Sequence, residues 1–419
     1  MRNAVSVAFL CCFLFFFKAA ESSLQELNLS RRSQPKTGLC DALIRPSGYH
    51  CSEHVVETDD GYLLGLQRVS SSSSSSSGNG GGIRFPISML YGTLFAIAPI
   101  IFGYARCAQG GDAWFLNSIG QSLGFILADQ GFDVWVGNVR GTHWSHGHIS
   151  LTERSKEFWD WSWQELALYD LATMIKHVFS VTNSKVFFVG HSQGTIMALA
   201  AFTQPEIVDM VEAAALLCPI SYLGHVTSPF VHRLVGLHLD QMIMALGIHQ
   251  LNFRSDLYVR LLDSFCDREV ECGDFLTAIT GGNCCFNNSR VDFYLDYEPH
   301  PSSAKNLNHL FQMIRKGTFA MYDYGLFGNI KQYGQSNPPA FDIARIPKSL
   351  PVWMGYGGTD ALADIKDVEH TLQDLKLKPE LLYLSSYGHI DFLLSVRAKE
   401  DVYDAMIRFF KSSKRAAYL

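Results

Sequence analysis

The stretch 185–202, KVFFVGHSQGTIMALAAF, constrains this chain more than any other. Val186, Phe187, Phe188 and Val189 make a short apolar run suited to a buried strand, and an alanine-rich run suited to a helix packed close on a sheet follows. Between them stands Gly190-His191-Ser192-Gln193-Gly194, a G-x-S-x-G sequence set between strand and helix. A serine at so sharp a turn takes strained backbone angles, and Gly190 and Gly194 flank it because a Cβ there would meet the neighbouring strand or helix. The turn exposes the Ser192 hydroxyl above the sheet edge and aims a helix N-terminus at any negative charge forming there. An idle serine in a glycine-rich turn is the plain alternative. The flanks on both sides favour a nucleophile.

A serine hydroxyl needs a base, and the base needs an acid to orient it. Around such an elbow the order along the chain is Ser, then Asp or Glu, then His. Asp360 closes the run Gly357-Gly358-Thr359-Asp360 directly after an expected strand at 352–356, and His389 follows Tyr387-Gly388 after an expected strand at 381–385. Both lie at the sheet edge where Ser192 emerges, which is where open α/β sheets build their sites. With 15 histidines in the chain a chance match is easy, so chain order and the position after the last strand decide for His389. Asp364 opens a helix and reads as its cap, and Asp391 follows the base too closely to serve as its acid. The expected triad is Ser192, Asp360 and His389.

The chain has 419 residues, 47% hydrophobic and 18% charged, enough for one large domain with an inserted subdomain. Its formal charge is −6 and its basic residues are scattered, which argues against a nucleic-acid partner. Residues 1–22 read as a secretory signal peptide: Arg2, an apolar run over 4–17, then a cleavage region at 18–22. The serine- and glycine-rich stretch 70–82 reads as a flexible loop. No charge lies between Arg84 and Arg106, a length that would suit a transmembrane helix, but Pro86, Gly92, Pro99 and Gly103 interrupt it. Residues 87–91 resemble a buried parallel strand instead, so no span is expected.

Helices are expected at 121–130 and 158–179, the latter with Leu168, Leu171, Ile175 and Val178 on one stripe, and strands at 62–69, 132–136 and 213–218. The strand–helix alternation stops between 220 and 348, where an inserted, mainly helical cap is expected, either a moving lid or a fixed layer. It resumes over 349–419, so the core is expected in two parts, 23–219 and 349–419. His143, His146 and His148 share a polar loop; local hydrogen bonding is favoured there over a metal site, and neither metal nor cofactor is expected.

Ten cysteines suit an oxidising compartment. Cys11 and Cys12 leave with the signal, Cys40 and Cys51 are close enough to pair, and Cys218 reads as a buried thiol. Cys266, Cys272, Cys284 and Cys285 form a cluster. Strain argues against a Cys284–Cys285 bond, leaving two connectivities open, and no histidine stands among the four at zinc-ligand spacing. Asn28 and Asn287 head N-x-[ST] glycosylation sequons.

These motifs together resemble the acid lipases, the gastric and lysosomal enzymes and most nearly their plant triacylglycerol lipase relatives. The resemblance rests on the elbow, on Gly357 to Asp360 with Leu362-Ala363-Asp364, and on Gly388-His389-Ile390-Asp391-Phe392. It rests also on Phe132-Asp133-Val134-Trp135-Val136-Gly137-Asn138 with Arg140-Gly141, and on Asp60-Gly61-Tyr62. It covers roughly 38–410, except the serine tract and the residues near 91–109. It implies an α/β-hydrolase fold that cleaves lipid carboxylic esters at a lipid–water interface, with a cap over an apolar acyl site, in a secreted or vacuolar/lysosomal protein. The backbone of Gln193, after the nucleophile, is implied as one oxyanion donor.

The second donor is where the chain departs from the family. A His-Gly-Leu-type turn is usual after the early strand, soon followed by a segment like Gly110-Gly111-Asp112-Ala113-Trp114-Phe115. Here Leu90-Tyr91-Gly92-Thr93-Leu94 leads into an apolar stretch through Gln109. Thr93 is the candidate donor, with Leu94 second. Residues 91–109 read as an atypical insertion, extra translated sequence such as a retained intron. A catalytically impaired relative that binds lipid is the alternative function.

Overall fold

The computed structural model describes residues 38–72, 85–92, 110–252 and 277–417. The leader with Asn28, most of the serine and glycine loop, Thr93, Leu94 and the remainder of 93–109, and Cys266 and Cys272 lie outside the described residues.

In chain order the strands are β1 (Tyr49–Glu57), β2 (Tyr62–Ser71), β3 (Phe85–Gly92), β4 (Phe132–Gly137), β5 (Gly147–His148), β6 (Val186–Ser192), β7 (Val211–Leu217), β8 (Gln250–Leu251), β9 (Ser302–Ser303), β10 (Val352–Gly357) and β11 (Glu380–Leu384). The main sheet runs β1-β2-β4-β3-β6-β7-β10-β11, with β5 paired to β2. The β1–β2 hairpin is antiparallel and joins β4 antiparallel; every pairing from β4 to β11 is parallel. β4 and β6 are buried at every residue, and β7 at all but one, as strands covered by helices on both faces must be. The residues around 85–104 thus begin as strand β3, between β4 and β6. Among the described residues no helix is long and apolar enough to cross a membrane.

Helices of the described residues include α1 (Leu123–Asp129), α2 (Ala172–Thr182), α3 (Gln193–Ala201), α4 (Ala304–Lys316) and α5 (Ile365–Asp374). The helix expected over 158–179 is broken. A 3₁₀ turn at Lys156–Trp159 ends before Ser162, which caps a new start at Trp163 through a reciprocal bond with Glu165. A π-type turn, Leu166–Leu171, then runs into α2. The final helical stretch is broken likewise, between Asp391–Leu394 and Lys399–Tyr403.

The core is rich in large rings, with Trp114, Trp135, Trp161, Trp163 and Trp353 fully buried. Arg140, 1% exposed, is buried with them because two carboxylates meet it. Its guanidinium pairs with Asp170 at 2.6 Å and Asp60 at 2.6 Å and lies over the Tyr62 ring at 3.8 Å. These partners, outweighing burial, push its pKa up, and Arg140 in turn holds Asp60 below the usual carboxylate range despite its own partial burial.

Cys40 and Cys51 are joined across the start of β1. The expectation against a Cys284–Cys285 bond is corrected: these neighbours are joined to each other. The backbone there is set by Asp391, whose carboxylate accepts the amides of Cys284 at 2.9 Å and Cys285 at 3.3 Å. An anchored turn of this kind was not foreseen from spacing.

Candidate active site

β6 ends in the expected turn. A Cβ on Gly190 would come 2.8 Å from a Phe188 ring carbon and 3.0 Å from the Gly194 carbonyl oxygen. Ser192 has φ 56° and ψ −120°, angles that cost a non-glycine residue on the order of 1–3 kcal/mol. Parallel pairing of Ser192 itself to Gly92 of β3, and of His191 before it to Leu217 of β7, holds it there.

Ser192 Oγ lies 2.8 Å from His389 Nε2, and His389 Nδ1 lies 2.8 Å from Asp360 Oδ2. The other Asp360 oxygen accepts the amides of Leu362 and Ala363, both at 2.9 Å, which orients the carboxylate. With Nδ1–H donated to Asp360, Nε2 is left to accept from the Ser192 hydroxyl. The three side chains are buried, yet they come from three loops after β6, β10 and β11. Asp364 accepts the Lys366 amide at 2.9 Å as the cap of α5, and Asp391 accepts the Gly388 amide at 2.8 Å.

Two neighbours steady the histidine's backbone. The His389 carbonyl accepts from His191 Nε2 at 2.9 Å and from Cys218 Sγ at 3.4 Å. Burial, and then the charge of His389, pushes His191 well below the ordinary histidine range, so its ring stays neutral and donates. Burial, and then the Asp360 carboxylate, pushes the Cys218 thiol well up, so it keeps its proton. Gln193 opens α3, where the first amides of a helix have no intrahelical acceptor. Its side-chain oxygen accepts from Asn306 Nδ2 at 3.1 Å, bringing α4 over the elbow.

A second buried polar cluster lies apart. His300 Nε2 donates to Asp112 at 3.0 Å, its Nδ1 accepts the His143 amide at 3.1 Å, and Glu298 accepts the Gly110 amide at 3.0 Å. Burial opposes it, but His300 and the other donors hold Asp112 below the usual carboxylate range. Both His300 nitrogens are engaged in hydrogen bonds, so the cluster reads as a polar staple. His148 likewise accepts the amides of Ser150 and Leu151, each at 3.0 Å.

Comparison with known proteins bears on these features. Residues 40–85 match the family model described as partial alpha/beta-hydrolase lipase region, and residues 109–395 match the alpha/beta hydrolase fold. The chain is 58% identical over 396 residues to Triacylglycerol lipase 1 of Arabidopsis thaliana, covering 94% of this chain and 96% of that protein. The chain belongs to the α/β-hydrolase lipases. This lipase is also 37% identical to Triacylglycerol lipase 2 of the same plant, covering 98% of each, and 30% identical to human Lipase member K, covering 86% of this chain and 87% of that one. Its fold matches a monoglyceride lipase of Saccharomyces cerevisiae with a TM-score of 0.54 at 14% identity, covering 92% of this chain and 99% of that one.

Of the residues expected in the lipase site, Ser192, Asp360, His389 and Gln193 are brought together. β3 places Gly92 opposite Ser192, and Thr93 lies outside the described residues. His191 and Cys218 were missed as neighbours of His389, because both act on its main-chain oxygen, a contact that no side-chain motif announces.

Proposed function

We propose that this lipase hydrolyses carboxylic esters of lipids, triacylglycerols or related acyl esters, through Ser192, His389 and Asp360. The observation that carries the reading is the continuous chain of two 2.8 Å hydrogen bonds from Ser192 to His389 to Asp360, starting at a strained elbow. The names of the two Arabidopsis relatives support the substrate class. Ser192 Oγ attacks the ester carbonyl carbon while His389 Nε2 takes its proton, and Asp360 holds the tautomer and steadies the imidazolium. The oxyanion accepts from the backbone amide of Gln193 and, as second donor, that of Thr93. The imidazolium protonates the departing alcohol, and a water repeats the sequence on the acyl-enzyme, releasing the fatty acid and Ser192.

The helices between β7 and β10 serve as the cap over the acyl site, and α4 reaches Gln193 from there. The intact hydrogen-bond chain supports hydrolysis over lipid binding alone. The apolar leader and the Cys40–Cys51 bond support an oxidising compartment, outside the cell or in a vacuole or lysosome, where Asn28 and Asn287 are open to glycosylation. Assay of short- and long-chain esters with wild type, Ser192→Ala and His389→Ala tests the proposal. Both variants are expected to keep the fold and lose at least about a thousandfold in kcat. Turnover equal to wild type in either one refutes the triad.

A further inference from the structure

Asp391 follows His389 too closely to serve as its acid, and its carboxylate is nonetheless fully buried beside the triad. Oδ2 accepts the Gly388 amide at 2.8 Å and the Cys284 amide at 2.9 Å, and Oδ1 accepts the Cys285 amide at 3.3 Å. One of these amides belongs to the loop that carries the base. The other two belong to a segment returning from the region between β7 and β10.

That segment touches the acid loop as well. The Thr280 carbonyl accepts the His389 amide at 3.2 Å and the Ala361 amide at 3.3 Å, so a single oxygen bridges the two loops. Gly281 forms an isolated antiparallel bridge with Asp360, and Thr359 Oγ1 donates to the Gly282 carbonyl at 2.6 Å. Cys285 then accepts the Val396 amide at 2.9 Å, beyond the base. The fit is tight. Gly281 has φ 91° and a Cβ there would run into the Thr359 carbonyl and the Ala361 amide. A Cβ on Gly388 would come 2.6 Å from Asn283 Oδ1 and 2.9 Å from the Gly282 carbonyl oxygen.

We infer that Asp391 and the return segment 280–285 are positioning elements, a brace that sets the spacing between the acid loop and the base loop. The inference rests on the assignment of Ser192, His389 and Asp360 proposed above. The brace contacts of Asp391 and Thr280 are to main-chain amides. Asp391 acts by tying the Gly388 amide to the segment, and Thr280 by fixing the main chain of His389 and Ala361. Freed of this brace, His389 Nδ1 drifts from Asp360 Oδ2, and the base loses its orientation before it loses its contact with Ser192.

Asp391→Asn keeps the size but turns a donor toward the amides. Its kcat on a soluble butyrate ester, counted per site titrated with a phosphonate, is expected to fall about ten- to a hundredfold, the scale of a misplaced catalytic group, while KM moves less than about threefold. The apparent pKa of the base in the kcat/KM profile is expected to shift with it. Asp364→Ala, which removes only the α5 cap, is the control expected to keep wild-type kcat per titrated site. Wild-type kcat and pH profile in Asp391→Asn, with or without a lowered Tm, overturn the inference, since a staple of structure alone would move only Tm. If Asp391→Asn does not fold, Thr359→Val provides the test: it deletes one bond to the segment, a several-fold lower kcat is expected, and an unchanged kcat overturns the brace. Activity surviving in Ser192→Ala or His389→Ala defeats the triad instead, whereas dead triad variants beside a fully active Asp391→Asn defeat the brace alone.

Discussion

His309 sits on α4 with its ring stacked on Trp163 at 4.5 Å, Nδ1 against Ser162 Oγ at 3.0 Å and Nε2 against the Ala320 carbonyl at 3.0 Å. Burial lowers its pKa to about 3. Unfolded, the same ring takes a proton near its ordinary value of 6.5. The folded state therefore holds fewer protons between the two values, and stability present at neutral pH is lost as pH falls through this window, by about 1.4 kcal/mol per pH unit for the one group. His191 pulls the same way. Urea midpoints at several pH values for wild type and His309→Gln measure it: the variant is expected to lose less stability on acidification, and parallel curves refute the argument. At this scale the meeting of Ser192, Asp360 and His389 was legible because the proposed chemistry fixes both their types and their order. Thr280 was not, because its role lies in a carbonyl oxygen that every residue carries.

Among the elements, strands and helices of the core follow from apolar pattern, yet the break before Trp163 does not follow from the stripe of Leu168, Leu171, Ile175 and Val178. The sequence does hold its signal, Ser162-Trp163-Gln164-Glu165, an S-x-x-E capping box that a purely periodic view passes over. The pairing of Cys284 with Cys285 sits where Asp391 accepts both amides, a contact that spacing along the chain does not signal. Arg140 shows how a polar residue ties elements together, joining the β1–β2 turn at Asp60 to the π-type turn at Asp170. Arg140→Met leaves Asp170 buried without its cation, and a loss of about 3–5 kcal/mol is expected in equilibrium denaturation. A loss below about 1 kcal/mol would show that the network does not hold these turns.

For the whole molecule, the α/β plan was legible because the alternation resumes after residue 348, but the integration of the intervening region was not. Tyr294 donates to Asn117 at 2.9 Å, Ser303 to the Trp159 carbonyl at 2.6 Å and Asn306 to Gln193, so residues 294–306 are stitched to the core beneath them. The atypical stretch 91–109 starts within the end of β3, which closes at Gly92, and is followed by the Gly110 amide held on Glu298. We propose that the part beyond Leu94, through Gln109, is extra translated sequence, and it is expected to be missing from the natural protein while Thr93 is retained. Mass spectrometry that recovers a peptide across 95–106 would refute this.

The carbonyl of Thr280 also draws a line for engineering. A chimera built to change ester preference by importing a relative's cap would, if cut at the obvious edges near 220 and 348, import a foreign 280–285 between the host's acid and base loops. Splicing within 253–276 leaves that turn with the host scaffold, where its two amide partners already wait.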